Sequence, residues 1–226
     1  MTWVKICGTT TLEDAQLAVE AGANAIGFVF AASPRRVSPE QVRTIVKELP
    51  ESVEKIGIFV NETAEHIRTI IKATGLTGVQ LHGHESEHLQ AEVNAMQTVW
   101  GRKPKLYRAL HLPESFAGEM NVGFSWPEGD ARPDALLLDT VSAGVRGGTG
   151  KKFDWQAAVP LVEAVQTQIP VIIAGGLNPE NVGGAIRLFQ PFGVDVVSGI
   201  EASPGKKDPE KLREFARAVK RATVMV

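Results

Sequence analysis

Short apolar runs alternate with helix-like segments along the whole chain. Eight runs rich in Val, Ile, Leu and Phe begin roughly 20 to 35 residues apart, which is the length of a strand plus a crossover helix. The runs are mostly continuous rather than alternating, as is typical of strands buried on both faces of a parallel sheet. The predicted strands cover residues 3–6, 25–30, 55–60, 78–81, 105–110, 135–138, 171–174 and 194–198.

The segments between these runs have the periodicity of amphipathic helices. Val42, Ile45, Val46 and Leu49 fall at i, i+3, i+4 and i+7, and the same spacing begins again at Ile67, Ala158, Val182 and Leu212. Capping side chains stand before a proline at three predicted helix starts, Ser38-Pro39, Asn178-Pro179 and Asp208-Pro209. Thr10 with Glu13 is typical of a capping box for a helix over 12–21.

Eight strand–helix units predict an α/β fold, a (β/α)8 TIM barrel that forms a single domain over residues 1–226. An open doubly wound sheet is the alternative, because the last strand could end an edge rather than close the barrel. The stretch 111–133 is rich in glycine and proline, so its helix is expected to be short or distorted. No linker or domain boundary is visible in the sequence.

Composition narrows the function classes. Lys and Arg number 24 against 26 Asp and Glu, so no basic excess indicates a nucleic-acid partner. A single cysteine excludes an intrachain disulfide and a multi-thiolate metal site, and the histidine spacing predicts no metal. The apolar runs are far shorter than a membrane span, and the N-terminus lacks a signal-peptide pattern. We therefore expect a cytoplasmic protein with no membrane partner.

Candidate site residues stand where the predicted strands end, because barrels of this kind carry their chemistry at the carboxyl ends of the strands. Cys7 follows the first strand and Asp139 the sixth. Arg35 follows the second strand, where it could clamp a carboxylate or simply be solvated. Gln80 and His82 lie on one face of the fourth strand and are expected to bind the substrate. A structural role is possible for each residue taken alone.

Glycine-rich turns follow the seventh and eighth strands. Gly175-Gly176 and Ser198-Gly199 could bring backbone N–H groups close to an anion, so these turns favour a phosphate site over simple tight turns. The run 147–152 lacks the spacing of a nucleotide-binding loop and better fits a mobile flap over the barrel mouth.

The sequence resembles the phosphoribosylanthranilate isomerases nearly end to end. The resemblance is weakest over 111–133, and Arg36 stands where the family usually has an aromatic residue. The matching motifs include Val4-Lys5-Ile6-Cys7-Gly8, Ser33-Pro34-Arg35, Val79-Gln80-Leu81-His82-Gly83, Leu138-Asp139-Thr140, Ala174-Gly175-Gly176-Leu177-Asn178-Pro179 and Ser198-Gly199-Ile200-Glu201.

The resemblance implies a cofactor-independent Amadori rearrangement of N-(5′-phosphoribosyl)anthranilate in tryptophan biosynthesis, with a small phosphosugar as substrate. By motif, Cys7 corresponds to the general base, Asp139 to the general acid and Arg35 to the arginine that meets the anthranilate. For these roles Asp139 needs a raised pKa or a proton gained on substrate binding, whereas Cys7 needs thiolate character. The chain is expected to be a monomer or a homodimer.

Three other functions compete with this interpretation. An aminoaldose isomerase of histidine synthesis would want a carboxylate in place of Cys7. A Schiff-base aldolase would use Lys5 as its nucleophile. A catalytically silent phosphosugar-binding regulator would keep the glycine turns but lose Cys7 or Asp139, and both are present.

Overall fold

The computed structural model describes residues 1–113, 116, 129–142, 145–146 and 154–224. The predicted flap at 147–152 lies outside these residues, as does most of the stretch 111–133 that was expected to be irregular. In the described part of that stretch, a strand continues as far as Pro113 and a 3-10 helix covers Gly129–Ala131.

Eight parallel strands close into a barrel. The strands are β1 (Trp3–Ile6), β2 (Ala25–Val29), β3 (Glu54–Phe59), β4 (Gly78–Leu81), β5 (Lys105–Pro113), β6 (Ala135–Ser142), β7 (Val171–Ile173) and β8 (Gly193–Val196). Each strand pairs with its neighbours in chain order, and β8 pairs back onto β1. Closure is confirmed, and the alternative of an open sheet is wrong because neither β1 nor β8 is an edge.

Some strand ends differ from the prediction. β5 and β6 continue past their predicted ends at Leu110 and Leu138, because the two strands stay paired as far as Pro113 and Val141. β8 ends at Val196, and Ser198 begins a 3-10 helix instead.

Seven α-helices pack outside the barrel in the described residues. They are α1 (Leu12–Glu20), α2 (Pro39–Lys47), α3 (Ala64–Thr74), α4 (Glu87–Asn94), α5 (Trp155–Gln166), α6 (Val182–Phe189) and α7 (Pro209–Val224). None of the described helices is both long and apolar enough to cross a bilayer.

Two of the predicted helix starts are wrong: the capping residue of α1 and the first residue of α6 differ from the prediction. Thr11, not Thr10, caps α1, because the Thr10 hydroxyl instead donates to the carbonyl of Gly205 at 2.6 Å. α6 begins at Val182, since Asn178 folds the preceding residues into a turn by accepting from the N–H groups of Glu180 and Asn181. The predicted starts at Ser38-Pro39 and Asp208-Pro209 are confirmed.

The apolar residues form two separate clusters. The larger lies between the sheet and the helices, and the smaller fills the barrel interior around Ile56, Leu137 and Ile172. The indole of Trp3 stacks on Tyr107 at 5.8 Å near the amino ends of the strands. Buried polar side chains, by contrast, gather toward the carboxyl ends. The apolar floor therefore supports a polar mouth.

A short hairpin stands beside this mouth. It is formed by Glu201–Ser203 and Lys206–Lys207, which pair antiparallel directly after the 3-10 helix Ser198–Ile200. The hairpin contributes two charged side chains to the site, Glu201 and Lys207.

Candidate active site

Cys7 lies at the carboxyl end of β1 with its side chain buried in the barrel mouth. Gly27 on the neighbouring β2 makes room for it, because a Cβ at position 27 would stand 2.6 Å from the Cys7 Sγ. Burial raises the pKa of the Cys7 thiol, and the nearby Lys5 ammonium only partly opposes that effect. In the free protein the sulfur is therefore held mainly as the neutral thiol at neutral pH.

Asp139 ends the apolar run of β6 and is also buried. One carboxylate oxygen accepts from the Thr140 N–H at 2.7 Å, and the other lies 3.3 Å from the His82 Nε2. Cys7 and Asp139 thus occupy the same end of the barrel, on strands that stand three places apart around the closed sheet.

Gln80 and His82 support Asp139 from β4. The Gln80 Nε2 lies 3.0 Å from the His82 Nδ1, and since the amide nitrogen can only donate, Nδ1 accepts. The other ring nitrogen, Nε2, faces the Asp139 carboxylate. Gln80 is therefore a buried residue that orients His82 rather than one exposed at the rim of the mouth.

The pKa of Asp139 decides between the two conditions under which it could act as an acid, a raised value or a proton gained on substrate binding. Burial alone would raise it, but the hydrogen bond from His82 and the Thr140 N–H outweigh burial, so the pKa lies below its usual range. Asp139 is a carboxylate in the free protein. Of the two ways it could serve as an acid, only proton uptake on substrate binding is left.

His111 completes a cluster with His82 and Asp139. Its Nε2 bonds the His82 carbonyl at 3.1 Å, and the two imidazole rings meet edge to face with centroids 4.6 Å apart. Ligand atoms of the three residues lie within 4.8 Å of one another, close enough to hold a divalent ion. The hydrogen bonds that these groups make account for the arrangement without one.

Arg35 reaches the mouth from the segment after β2. Its Nε and Nη2 bind the Glu201 carboxylate at 2.9 and 2.7 Å, and its aliphatic stem crosses above Gly8. In the part of the chain that the structure describes, the other terminal nitrogen, Nη1, has no hydrogen-bond partner. The clamp on Glu201 fixes the guanidinium while leaving donors for a further anion.

Lys207 links this clamp to Cys7. Its buried Nζ donates to the Cys7 carbonyl at 2.6 Å and pairs with Glu201 at 3.2 Å. The first strand, the segment after β2 and the hairpin are thus joined by one network of charged hydrogen bonds.

The two predicted glycine turns lie against each other. A Cβ at Gly199 would collide with the Leu177 carbonyl and stand 2.9 Å from the Asn178 Cβ, so only glycine allows this approach. Gly175 and Gly176 both have left-handed backbones, with φ of +77° and +66°. Their N–H groups make no hydrogen bond to any described residue, and Ser198 opens the adjacent 3-10 helix.

Sequence reasoning missed several charged groups of the site. Asp195, Glu201, Lys207 and His111 were not chosen as site residues, and Lys5 was considered only as an aldolase nucleophile. Lys5 forms a buried ion pair with Asp195, which holds its amine protonated and unsuited to that role. The sequence carried one signal for Lys5 and Asp195, a charged residue inside a strand-like apolar run. A buried lysine or aspartate in such a run needs a partner of opposite charge.

Comparisons with known proteins show which family the chain resembles. The family model described as N-(5'phosphoribosyl)anthranilate (PRA) isomerase matches residues 4–218. A relative named N-(5'-phosphoribosyl)anthranilate isomerase, from Pelobacter propionicus, is 44% identical over 218 residues, which is 96% of this chain and 95% of the relative.

Two solved structures have the same fold over the same length. Monomers of the dimeric phosphoribosylanthranilate isomerase from Thermotoga maritima align with a TM-score of 0.79 and 38% identity, over 98% of this chain and 100% of that chain. A phosphoribosyl anthranilate isomerase in complex with reduced 1-(o-carboxyphenylamino)-1-deoxyribulose 5-phosphate aligns with a TM-score of 0.77 and 36% identity, over the same shares of the two chains. With the family model matched over residues 4–218 and a relative 44% identical over 96% of its length, the chain belongs to the N-(5'-phosphoribosyl)anthranilate isomerase family.

Proposed function

We propose that Cys7 is the general base and Asp139 the general acid of the isomerisation. The chain is an N-(5'-phosphoribosyl)anthranilate isomerase, which carries out the Amadori rearrangement of phosphoribosylanthranilate to 1-(2-carboxyphenylamino)-1-deoxyribulose 5-phosphate in tryptophan biosynthesis. The observation that carries the two roles is the position of Cys7 and Asp139, buried at one mouth on strands three places apart.

The reaction needs one acid and one base on different sides of the sugar. A proton given to the ring oxygen by Asp139 opens the furanose and leaves a protonated Schiff base at C1. The Cys7 thiolate then takes the C2 proton, and the C–H electrons form the C1–C2 double bond of an enolamine. Tautomerisation of the enolamine gives the ketone, and no net electron transfer to an outside group occurs.

Protonation of the pair is set by the substrate. In the free protein, one proton is bound to the Cys7–Asp139 pair, and it is on Cys7. Catalysis needs that proton on Asp139. The substrate brings a phosphate and a carboxylate, and their negative charges raise the proton affinity of Asp139 when the mouth is filled. The competent form, thiolate with carboxylic acid, has the same number of protons as the free form.

The two ends of the substrate have separate partners in this proposal. The phosphate binds between the turns at Gly175-Gly176 and Ser198-Gly199, whose backbone N–H groups can donate to it. The anthranilate carboxylate binds Arg35, which Glu201 holds in place. Holding both ends fixes C1 and C2 between Cys7 and Asp139.

Arg35→Lys tests the carboxylate contact. The lysine keeps the charge but cannot make the bidentate bond, so we expect kcat/KM to fall roughly 10- to 100-fold, mostly through KM. Steady-state kinetics measure this effect. Arg36→Lys, the same change at the adjacent position, is the control and should leave KM within about twofold. An unchanged KM for Arg35→Lys would remove Arg35 from the anthranilate site.

The activity itself is tested with freshly made phosphoribosylanthranilate. We expect the purified chain to consume it, seen as loss of anthranilate-type fluorescence, without added metal or cofactor. The same chain is assayed with the aminoaldose of histidine synthesis, for which the carboxylate specificity of Arg35 predicts little turnover. Turnover of the histidine substrate alone would favour the rival isomerase.

We also propose that residues 1–226 form a single domain that works in the cytoplasm as a monomer or homodimer. The dimeric relative and the lack of a membrane-spanning helix in the described residues are consistent with this. Sedimentation distinguishes the two oligomeric states.

A further inference from the structure

A buried ammonium lies directly beneath the proposed base. Lys5 is two residues before Cys7 on β1, so the two side chains point to the same face of the strand, into the barrel. Only 1% of the Lys5 side chain is exposed, and its Nζ lies 2.9 Å from the Asp195 Oδ1. The register of β1 and β8 pairs Lys5 directly with Asp195, which makes this contact a consequence of barrel closure.

The same ammonium acts on the cysteine through its charge. Burial raises the pKa of the Cys7 thiol, and the Lys5 charge is the first of the influences that lower it. Gly27 supports the other side of Cys7, where a Cβ would come within 2.6 Å of the sulfur. The Cys7 Sγ thus lies against Gly27, with the Lys5 charge two residues away on the same face of the strand.

Stability alone does not explain a charged pair in this place. The interior below it is filled by apolar side chains such as Ile56, Leu137 and Ile172, and an apolar pair would pack there without the desolvation of two charges. The buried ion pair is therefore best explained by a nearby functional group that needs the positive charge of Lys5. The residue that changes charge in the proposed reaction, Cys7, lies two positions from Lys5 on the same face of the strand.

We propose that Lys5, anchored by Asp195, is a positioning residue that stabilises the Cys7 thiolate and aims it at the substrate C2. This inference rests on the role proposed for Cys7. The thiolate accepts the C2 proton and becomes a neutral thiol, and the Lys5 ammonium keeps its own proton throughout. Lys5 acts through the sulfur and does not touch the substrate.

Other charged groups near Cys7 and Lys5 also affect the pKa of the thiol. The charges of Lys207 and Asp195 both affect the pKa of Cys7. The charges of Asp139 and His82, across the mouth, affect the pKa of Asp195. Burial by itself lowers the pKa of Lys5, but Asp195 and Cys7 outweigh burial and raise it above the usual value. Lys5 therefore stays charged over the whole range in which a thiol titrates.

The sequence offers a clean measurement of the effect. Cys7 is the only cysteine, so absorbance at 240 nm reports one thiolate. The single tyrosine, Tyr107, absorbs in the same region when ionised, but burial and the neighbouring Glu54 hold its pKa far above the usual value. Thiolate formation can thus be followed against pH without substrate.

The test compares Lys5→Met/Asp195→Asn with the unchanged protein. The double variant removes both charges together, so neither partner is left as an unpaired buried ion, and it keeps the net charge. We expect its thiol midpoint to rise by about half a pH unit or more, since the Lys5 charge lowers the pKa of Cys7 by more than the Asp195 charge raises it. Lys5→Arg keeps the charge and should restore most of the shift.

Lys55→Met is the matched control, because Lys55 is another buried lysine but bonds the Pro50 carbonyl at the start of β3. Its thiol midpoint should equal that of the unchanged protein. In kinetics the double variant should lose about tenfold or more in kcat with KM changed less than about twofold, as expected for a group that acts only through the base.

A thiol midpoint in the double variant within about 0.3 pH units of the unchanged protein would overturn the proposal. So would an equal midpoint shift in Lys55→Met. The proposed function fails separately, if the unchanged protein does not turn over phosphoribosylanthranilate or if Cys7→Ala keeps its kcat. Circular dichroism establishes folding, and where one variant fails to fold, Lys5→Arg and Lys5→Gln carry the comparison.

Discussion

Cys7→Ala is expected to lower kcat by about 100- to 10,000-fold, the range that a positioned general base contributes. The alanine removes only the sulfur, whose neighbours are Gly27 and the Lys5 ammonium, so the barrel keeps its strand pairing. KM should stay close to that of the unchanged protein, because the phosphate and carboxylate contacts lie on other strands. Single-turnover and steady-state kinetics measure both quantities.

Cys7→Ser is the matched control for shape. A hydroxyl is far less acidic than a thiol, so the serine variant should be nearly as slow as the alanine variant even though it fills the space. A serine variant with close to normal kcat would mean that position 7 does not act as the base.

Asp139→Asn should cause a loss of similar size, roughly 100- to 10,000-fold in kcat. The amide oxygen can still accept from the Thr140 N–H, and the His82 Nε2 still has an acceptor if the amide turns its oxygen that way. The variant therefore keeps the shape of the site but has no proton to give to the ring oxygen. Rapid-quench measurement of furanose opening would locate the lost step.

Thr140→Val provides a control beside Asp139. It keeps the backbone N–H that binds the carboxylate and removes only a neighbouring hydroxyl. We expect kcat within about tenfold of the unchanged protein, because the variant leaves the acid itself in place. If Asp139→Asn were no slower than Thr140→Val, the acid would have to be another group.

The order of strands and the two main site residues could be predicted because they depend on local pattern. Continuous apolar runs mark buried strands, and the residues that follow each run mark the mouth, which places Cys7 and Asp139 there. Their roles as base and acid came from the family resemblance and not from the pattern. Strand ends were less predictable. The extra length of β5 and β6 comes from their pairing with each other. Neither segment shows this pairing in its own sequence.

The charged network could not be predicted for the same reason. Lys5 and Asp195 are 190 residues apart and meet only because closure places β1 beside β8 in one register. The clamp of Arg35 on Glu201 depends on a hairpin that follows a 3-10 helix, and no periodic pattern marks it. The lowered pKa of Asp139 could not be predicted either, because it depends on the contact with His82, which Gln80 orients.

The separation of the apolar residues into two clusters has a consequence for how this scaffold could change. The larger cluster, between sheet and helices, holds most of the buried apolar side chains of the described residues, and neither Cys7 nor Asp139 belongs to it. Substitutions at the rim of the barrel mouth therefore remove few of the apolar contacts that stabilise the fold. A library restricted to rim positions could search for new sugar specificities while most of its members still fold.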